Sequence, residues 1–393
     1  MEPISVQIVG GSLGGLTAAC LLRDAGHDVT VFERSSRQLE QRGAGIGFLP
    51  ATYRYLVERA GVDLERISVA TDRIRYLARD GSIVSDRRHR YLFSSWNTVY
   101  RELRAAYGSS PYLLAHELVD LEQDADRVVG RYANGVTRRS DLLVAADGVG
   151  SLVRHRLRPD ARRRYAGYVA WRGMVPESDL DPGLVAALGD AITYHVFANS
   201  HILVYPIPDA DGSVEVGSRL VNFVWYRNYL EGGDLDDLTT DRDGVRRDLS
   251  VPPGHLAPHH VAEARAVAAA RLPTMLAEVV HAVEHPFVQT IQDIEVDRMA
   301  FGRVCLLGDA AFAVRPHAAA GTAKAADDGW KLADALDRAP DLSTALAAWE
   351  TGQLELGRAL LERTRAIGAR SQVTNTWEPG DPSLIFGLYG PGD

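Results

Sequence analysis

The sequence predicts an α/β protein: a Rossmann-like dinucleotide-binding domain, an antiparallel sheet inserted into it, and helices towards the C-terminal end. Three observations carry that expectation. A glycine-rich turn stands between an apolar run and a helical pattern within the first 33 residues. A stretch of alternating aromatic and β-branched residues fills the middle. Strand-like apolar runs then return ahead of two long helical patterns.

The elements follow in order. Ser5 to Val9 is a short apolar strand that enters the cluster Gly10-Gly11-Ser12-Leu13-Gly14-Gly15. Leu16 to Ala25 reads as a helix, with Leu16, Ala19, Cys20 and Leu22 at helical spacing and Gly26 where a C-cap belongs. Asp28 to Phe32 is a second strand, which completes a βαβ opening. From about Tyr165 to Glu231 the runs Tyr168–Arg172, Tyr194–Phe197, His201–Tyr205 and Val221–Tyr226 alternate as antiparallel strands do. Pro252-Pro253-Gly254 breaks the chain before an alanine-rich helical stretch. Arg303 to Leu307 returns as a buried strand, helices are expected over 321–336 and 343–369, and the Pro- and Gly-containing segment 377–393 reads as extended.

Composition narrows the function classes. A length of 393 residues suggests two or three domains, and 46% hydrophobic with 24% charged residues is the balance of a globular protein. The net charge of −9 argues against a nucleic-acid binder. No apolar run approaches the roughly 18 residues of a membrane helix. Two cysteines cannot build a disulfide framework or a zinc site. The first residues lack the basic start and apolar core of a signal peptide, so a cytoplasmic setting is expected. Of the 43 basic residues only Lys324 and Lys331 are lysines, which reads as GC-rich codon bias and gives a retained lysine some interest.

Four stretches carry chemistry. In the glycine cluster serine replaces the middle glycine of the G-x-G-x-x-G dinucleotide pattern, yet a strand precedes it and a helix follows. Glu33 ends the second strand 18 residues past Gly15, where a carboxylate accepts from ribose hydroxyls. Taken alone, it is also what the turn of any βα unit looks like. Gly43, Gly45 and Gly47 form a loop beside Arg42, either a flexible turn or a backbone passing close to a flat ligand or a phosphate. Leu142 to Gly148 is a buried strand ending in Asp147-Gly148, with Ser151 as a candidate N-cap for the next helix. Gly302 to Ala311 again delivers an aspartate, Asp309, at a strand end, and Pro316, His317, three alanines and Gly321 follow.

Three such stations and one pyrophosphate site suggest one long cofactor laid across a sheet. The chain resembles the single-component FAD-dependent monooxygenases of the p-hydroxybenzoate hydroxylase fold, over nearly its whole length. The resemblance rests on the glycine turn with Glu33, on Asp-Gly-x-x-Ser-x-Val-Arg at 147–154, and on Gly-Asp-Ala-Ala at 308–311 with Pro316. A nearer likeness is to the dihydroxypyridine hydroxylases of that family, through Gly-Tyr-Val-x-Trp-Arg-Gly at 167–173, Arg-Pro-His-Ala-Ala-Ala-Gly at 315–321 and Glu-Pro-Gly-x-Pro at 378–382.

The resemblance implies a GR2-type FAD-binding domain (1–73, 98–163 and 290–337), a substrate-binding domain (74–97 and 164–289) and a C-terminal helix with an extended tail (338–393). It implies that Gly10, Gly11, Ser12, Leu13, Gly14 and Gly15 hold the FAD pyrophosphate and Glu33 the adenosine ribose. Arg34, Arg42, Gly45, Ile46, Arg101, Leu118, Asp147 and Asp309 join the cofactor set, and Ala319, Ala320, Gly321, Thr322 and Ala323 border the isoalloxazine. NADH or NADPH would bind transiently. The implied reaction is hydroxylation by O2 of an electron-rich aromatic or heteroaromatic hydroxy compound through a flavin C4a-hydroperoxide. Epoxidation, decarboxylation, an oxygen-independent reductase and an FAD-binding sensor are the alternatives, and a homodimer fits such folds. Phe312 stands where most members have histidine, and alanines occupy 318, 319 and 323 where many have glycine or asparagine. The family's optional thioredoxin-like domain has no counterpart before residue 393.

Pro316, His317 and Tyr205 are the catalytic candidates. His317 titrates in a useful range and follows Pro316, although a loop histidine bonded to backbone reads the same way. His201, His195, Tyr194 and Trp225 are candidates for substrate contact; strand parity puts His201 with Tyr205, while which face roofs the flavin stays open. Trp171, Trp225 and Tyr226 read more readily as sheet packing, and Arg172 either meets a substrate oxyanion or, more readily, forms a surface ion pair.

Overall fold

The computed structural model describes residues 1–40 and 44–393. Ser5–Val9 pairs in parallel with Asp28–Phe32 on one side and Leu142–Ala145 on the other. Val304–Leu306 and Tyr112–Leu113 extend this parallel arrangement, and Ala300–Phe301 closes one edge antiparallel, which makes a six-stranded sheet. The strands 142–145 and 304–306 are buried throughout. Parallel strands covered on both faces read as unbroken apolar runs, and that is why the sequence shows them plainly.

The helix after the first strand spans Leu13–Asp24 with Ser12 at its N-cap position, so it begins three residues earlier than the periodicity suggested. Gly14 and Gly15 belong to its first turn. A Cβ at Gly15 would lie 2.0 Å from the Gly10 carbonyl oxygen, and one at Gly10, where φ is +103°, would lie 2.3 Å from that of Ala146. Backbone meets backbone here, and glycine alone permits it.

The second sheet has nine strands. Four come from the alternating stretch: Arg164–Pro176, Ala191–Phe197, Ser200–Ile207 and Leu220–Asn228. They are flanked on one side by the hairpin Val69–Leu77 and Ile83–Ser95 with Gly45–Gly47, and on the other by Phe287–Asp293 and Ser250–Val251. The pairings are antiparallel except Ala191–Phe197 with Val69–Leu77, which is parallel. Two strands straddle the boundaries drawn from the sequence, Val69–Leu77 at residue 73 and Phe287–Asp293 at residue 289. A small three-stranded sheet over 118–140 escaped the sequence reading, because its strands are short and rich in exposed Asp, Glu and Arg.

Strand parity divides the large sheet into two faces. Ile202, Val204, Val221, Phe223 and Trp225 join an outer apolar cluster beneath the helices Pro258–Arg271 and Thr274–Ala282. Leu203, Tyr205, Ile207, Val224 and Tyr226 face inward. Trp225 therefore points away from the inner face, its indole nitrogen donating to Ser200 Oγ at 2.9 Å. His195 likewise turns outward and sets its Nδ1 2.8 Å from the Leu77 carbonyl. Both corrections follow from the period-2 geometry of strands.

The helix Leu342–Gln372 runs 31 residues, and the tail beyond it lays Trp377, Leu384, Phe386 and Leu388 on the inner face. No helix among the described residues is long and apolar enough to cross a membrane.

The helix Gly321–Arg338 holds the retained lysine. Lys324 is 1% exposed, and its ammonium lies 2.7 Å from Asp328 Oδ2, which also accepts the Gly308 N–H at 2.8 Å. The pair ties the helix to the turn carrying Asp309. Replacing Lys324 by Met leaves a buried carboxylate uncompensated and should cost about 3–5 kcal/mol, whereas adding Asp328→Asn should recover part of it. Urea unfolding of both variants checks this; equal stability of Lys324→Met and the parent would refute it.

Candidate active site

Two cavities of about 530 and 310 Å³ share Ser12, Trp96, Ala146 and Gly148 in their walls, and together they form one groove. The smaller lies over the ends of the first strands and is lined by Gly10, Glu33, Arg34, Leu118 and Asp147. The larger runs from Leu13, Gly14 and Gly15 past Asp309, Ala319, Gly321 and Thr322 to the inner face of the large sheet, where Gly45, Ile46, Arg172, Tyr205, Tyr226 and Phe386 meet. Residues far apart in the sequence thus converge on one elongated space, glycine-lined in the middle and aromatic at one end.

A family model described as FAD binding domain matches residues 3–199 and 253–364, and one described as FAD binding domain-like matches 165–293. The 2,6-dihydroxypyridine 3-monooxygenase of Paenarthrobacter nicotinovorans is 39% identical over 388 residues, covering 98% of this chain and 95% of the relative. The chain belongs to the FAD-dependent aromatic monooxygenases. The 3-amino-4-hydroxybenzoate 2-monooxygenase of Streptomyces cremeus is 30% identical over 420 residues, covering 98% of this chain and 95% of the relative. The solved 2,6-dihydroxypyridine-3-hydroxylase of Arthrobacter nicotinovorans superposes with a TM-score of 0.94 at 38% identity, over 100% of this chain and 98% of that one. This flavin monooxygenase uses FAD and NAD(P)H with O2, and the reductase and sensor readings fall away.

The groove of the monooxygenase fits FAD on its own terms. The helix beginning at Leu13 turns its free backbone N–H groups towards the glycine turn, which suits a pyrophosphate. Glu33 is 5% exposed. Its Oε2 accepts the Gly11 N–H at 2.9 Å and its Oε1 the Ser35 N–H at 2.8 Å, so it fixes the turn while facing the smaller cavity. Asp147 accepts the Val153 N–H at 3.3 Å with one oxygen, and its other oxygen is buried without a partner. Burial raises the Asp147 pKa, with Ser151 and the Val153 N–H opposing. A buried acceptor lacking a donor is what a ribose hydroxyl would satisfy. Asp309 presents its carboxyl to the open cavity, yet the protein around it pushes its pKa up to about 6, with Lys324 opposing and Asp328 adding to the rise.

Several expected cofactor residues lie elsewhere. Gly11 is covered by the Tyr112 hydroxyl, which donates to its carbonyl at 3.0 Å. Ala320 and Ala323 sit in the apolar layer behind the groove. Arg101 lines neither cavity, and its guanidinium donates to the Ala210 carbonyl at 2.7 Å. Arg42 lies outside the described residues.

At the aromatic end Pro316 and Tyr205 border the cavity, whereas His317 stands one layer behind. Its Nε2 is 2.7 Å from the Tyr168 hydroxyl, a side-chain partner where backbone was the alternative. His201 packs against Tyr226, Trp377 and His317 at ring separations of 4.6, 4.7 and 5.4 Å. Tyr194 stacks on Tyr76 in the same inner layer, outside the cavity wall. Tyr226 does line the cavity, and so does Arg172, which makes no ion pair among the described residues: its guanidinium donates to the Gly45 carbonyl at 2.6 Å and to Gln289 Oε1 at 2.9 Å. Trp96, Phe93 and Asn222 went unnoticed in the sequence, and Phe386, part of the Phe-Gly-Leu run that belongs to the family likeness, was given no place in the site. Of the three unnoticed, Trp96 alone left a trace in the sequence, following Ser95, whose side chain caps the next helix by accepting the Thr98 N–H.

Burial drives the His201 pKa down to about 3, and burial, with His201 and Arg315 adding, holds His317 well below its ordinary value. Both rings stay neutral when folded, while the unfolded chain takes up protons below about pH 6.5. Stability should therefore fall as pH drops from about 6.5 towards 3, by about 1.4 kcal/mol per pH unit through His201, with His317 adding in the same direction. Urea unfolding at pH 7, 6 and 5 should show a shallower fall in His201→Gln than in the parent, and an identical slope would remove His201 from the account.

Proposed function

We propose that this monooxygenase hydroxylates a hydroxypyridine-type heteroaromatic, held by its ring oxygen as an anion at the Arg172–Tyr205 end of the groove. The supporting observation is the polarity of that end. Among the described residues Arg172 Nε and Asn222 Nδ2 are buried donors without hydrogen-bond partners, and both side chains stand beside Tyr205. Burial raises the Tyr205 pKa, and Arg172 and Asn222 beside its hydroxyl oppose the rise. Unpartnered donors beside a tyrosine hydroxyl suit an oxyanion. The relative at 39% identity is a dihydroxypyridine monooxygenase, which supports the heteroaromatic class, and the one at 30%, an aminohydroxybenzoate monooxygenase, shares with it only a ring hydroxyl.

FAD, when bound and reduced by NAD(P)H, supplies the chemistry that splits O2, one oxygen atom entering the ring and the other leaving as water. The chain's residues do the rest. Asn222 accepts the Gly45 N–H at 3.0 Å and Arg172 holds the Gly45 carbonyl, so the Gly45–Gly47 strand is clamped from both sides. Phe93 stacks on Tyr205 at 4.1 Å, and Phe386 with Tyr226 completes an aromatic wall. A ring oxygen kept ionised by Arg172 and Tyr205 pushes electron density onto the ring carbons that accept oxygen.

The test adds hydroxypyridines, hydroxybenzoates and simple phenols singly to FAD-loaded enzyme and follows NAD(P)H oxidation and product mass. A hydroxypyridine that speeds oxidation and gains one oxygen atom is the expected result. Tyr205→Phe should raise the KM for that substrate roughly tenfold, about 1.4 kcal/mol, and divert NAD(P)H to hydrogen peroxide. Tight coupling with unchanged KM in Tyr205→Phe would overturn the anion-site assignment.

A further inference from the structure

Another cavity of about 310 Å³ lies outside the groove, between the 158–164 connection, the segment 293–297 and the Leu342–Gln372 helix. Five arginines line it: 158, 162, 164, 358 and 365. Two are neutralised in place, Arg158 by Asp297 at 2.6 Å and Arg365 by Asp293 at 3.0 Å and Glu295 at 3.4 Å. Among the described residues Arg162, Arg164 and Arg358 have no ion-pair or hydrogen-bond partner for their guanidinium groups, and Asp160 is the one lining carboxylate left over. A concavity with three uncompensated guanidiniums against one carboxylate attracts a multiply charged anion, and guanidinium geometry matches phosphate oxygens.

This cavity and the groove share a wall. Asp293 lines the cavity while its chain neighbour Gln292 lines the groove. Arg315 reaches Asp293 with two bonds, of 3.0 and 2.9 Å, and stands between Val314 and Pro316, both groove residues. The arginine cavity therefore adjoins the groove across this wall. The glycine-rich βαβ unit is committed to FAD, so the other dinucleotide this enzyme uses needs phosphate-binding groups of its own.

We propose that the arginine cavity docks the phosphate groups of NAD(P)H; the assignment rests on the NAD(P)H-dependent reading above. In FAD-loaded enzyme, anaerobic flavin reduction by NADH and by NADPH gives the Kd of each. The triple variant Arg162→Gln, Arg164→Gln, Arg358→Gln should raise Kd on the order of tenfold, with FAD content, aromatic-substrate affinity and the limiting reduction rate preserved. The corresponding three Arg→Lys changes should keep most of the affinity. Reduction by 1-benzyl-1,4-dihydronicotinamide, which carries no phosphate, should be the same in parent and variant. A loss confined to NADPH assigns the 2′-phosphate to the cavity, and a loss for both nucleotides assigns the pyrophosphate. Unchanged Kd for both nucleotides, or an equal loss with the phosphate-free analogue, overturns the proposal. Dithionite-reduced enzyme mixed with O2 and each aromatic compound tests the hydroxylase reading separately: absent product there, with arginine-dependent Kd intact, would sink that reading and leave this one standing.

Discussion

The structure depends on backbone surfaces that meet with nothing between them. Gly10 and Gly15 let the first helix start flush on the strand end, and Gly14 lies so near Ala325 that a Cβ there would come within 2.8 Å of the alanine methyl. Further along, Gly329 rests on Ala18 of the same first helix. Two helices and two strand ends are thereby drawn together around one point, and the groove is the space left between them. Larger side chains at these positions would push the helix N-terminus away from any phosphate it could serve. The same economy recurs at Gly47, where a Cβ would fall 2.5 Å from that of Ala319, a residue in the left-handed region with φ 54°.

Electrostatics is then arranged on that tight frame. The Lys324–Asp328 pair is fully enclosed and grips the Gly308 N–H, so the turn bearing Asp309 cannot drift from the helix that follows. Phe312, which departs from the family's usual histidine, fits the same logic. Its ring packs on Gly357 of the long helix, and the Lys324 ammonium stands 5.1 Å from its centre. An aromatic face is a favourable neighbour for a buried cation and a protonatable ring is a poor one, so the lysine and the phenylalanine make sense together.

Legibility in the sequence followed contiguity. The glycine turn, Asp147-Gly148 and Asp309 could be read because strand end, tight turn and charged group lie side by side in the chain, and each declares itself without knowledge of the fold. The aromatic end could not be read that way. Gly45, Arg172, Tyr205, Asn222 and Phe386 come from four strands and the tail, and only packing brings them together. Alternation revealed that Tyr205 and His201 share a face but left that face unassigned, and so Trp225 and His195 entered as candidates that the sheet turns outward. Asn222, an uncharged residue in an apolar run, carries no signal until the Gly45 N–H is seen against it.

The tail has a consequence for the order of assembly. Phe386 is part of the cavity wall and stacks on Tyr91 at 4.6 Å, while the Gly387 N–H donates to the Ala318 carbonyl at 3.1 Å. Arg363 of the long helix holds the carbonyls of Ile385 and Gly387. The glycine turn of the groove is made first on the ribosome, and Phe386 at its aromatic end is made more than 200 residues after Arg172. A chain emerging at about 5–20 residues per second therefore spends tens of seconds with its nucleotide-binding turn complete and its oxygenation chamber open to water. Oxygen chemistry has no enclosed site until translation has passed the tail.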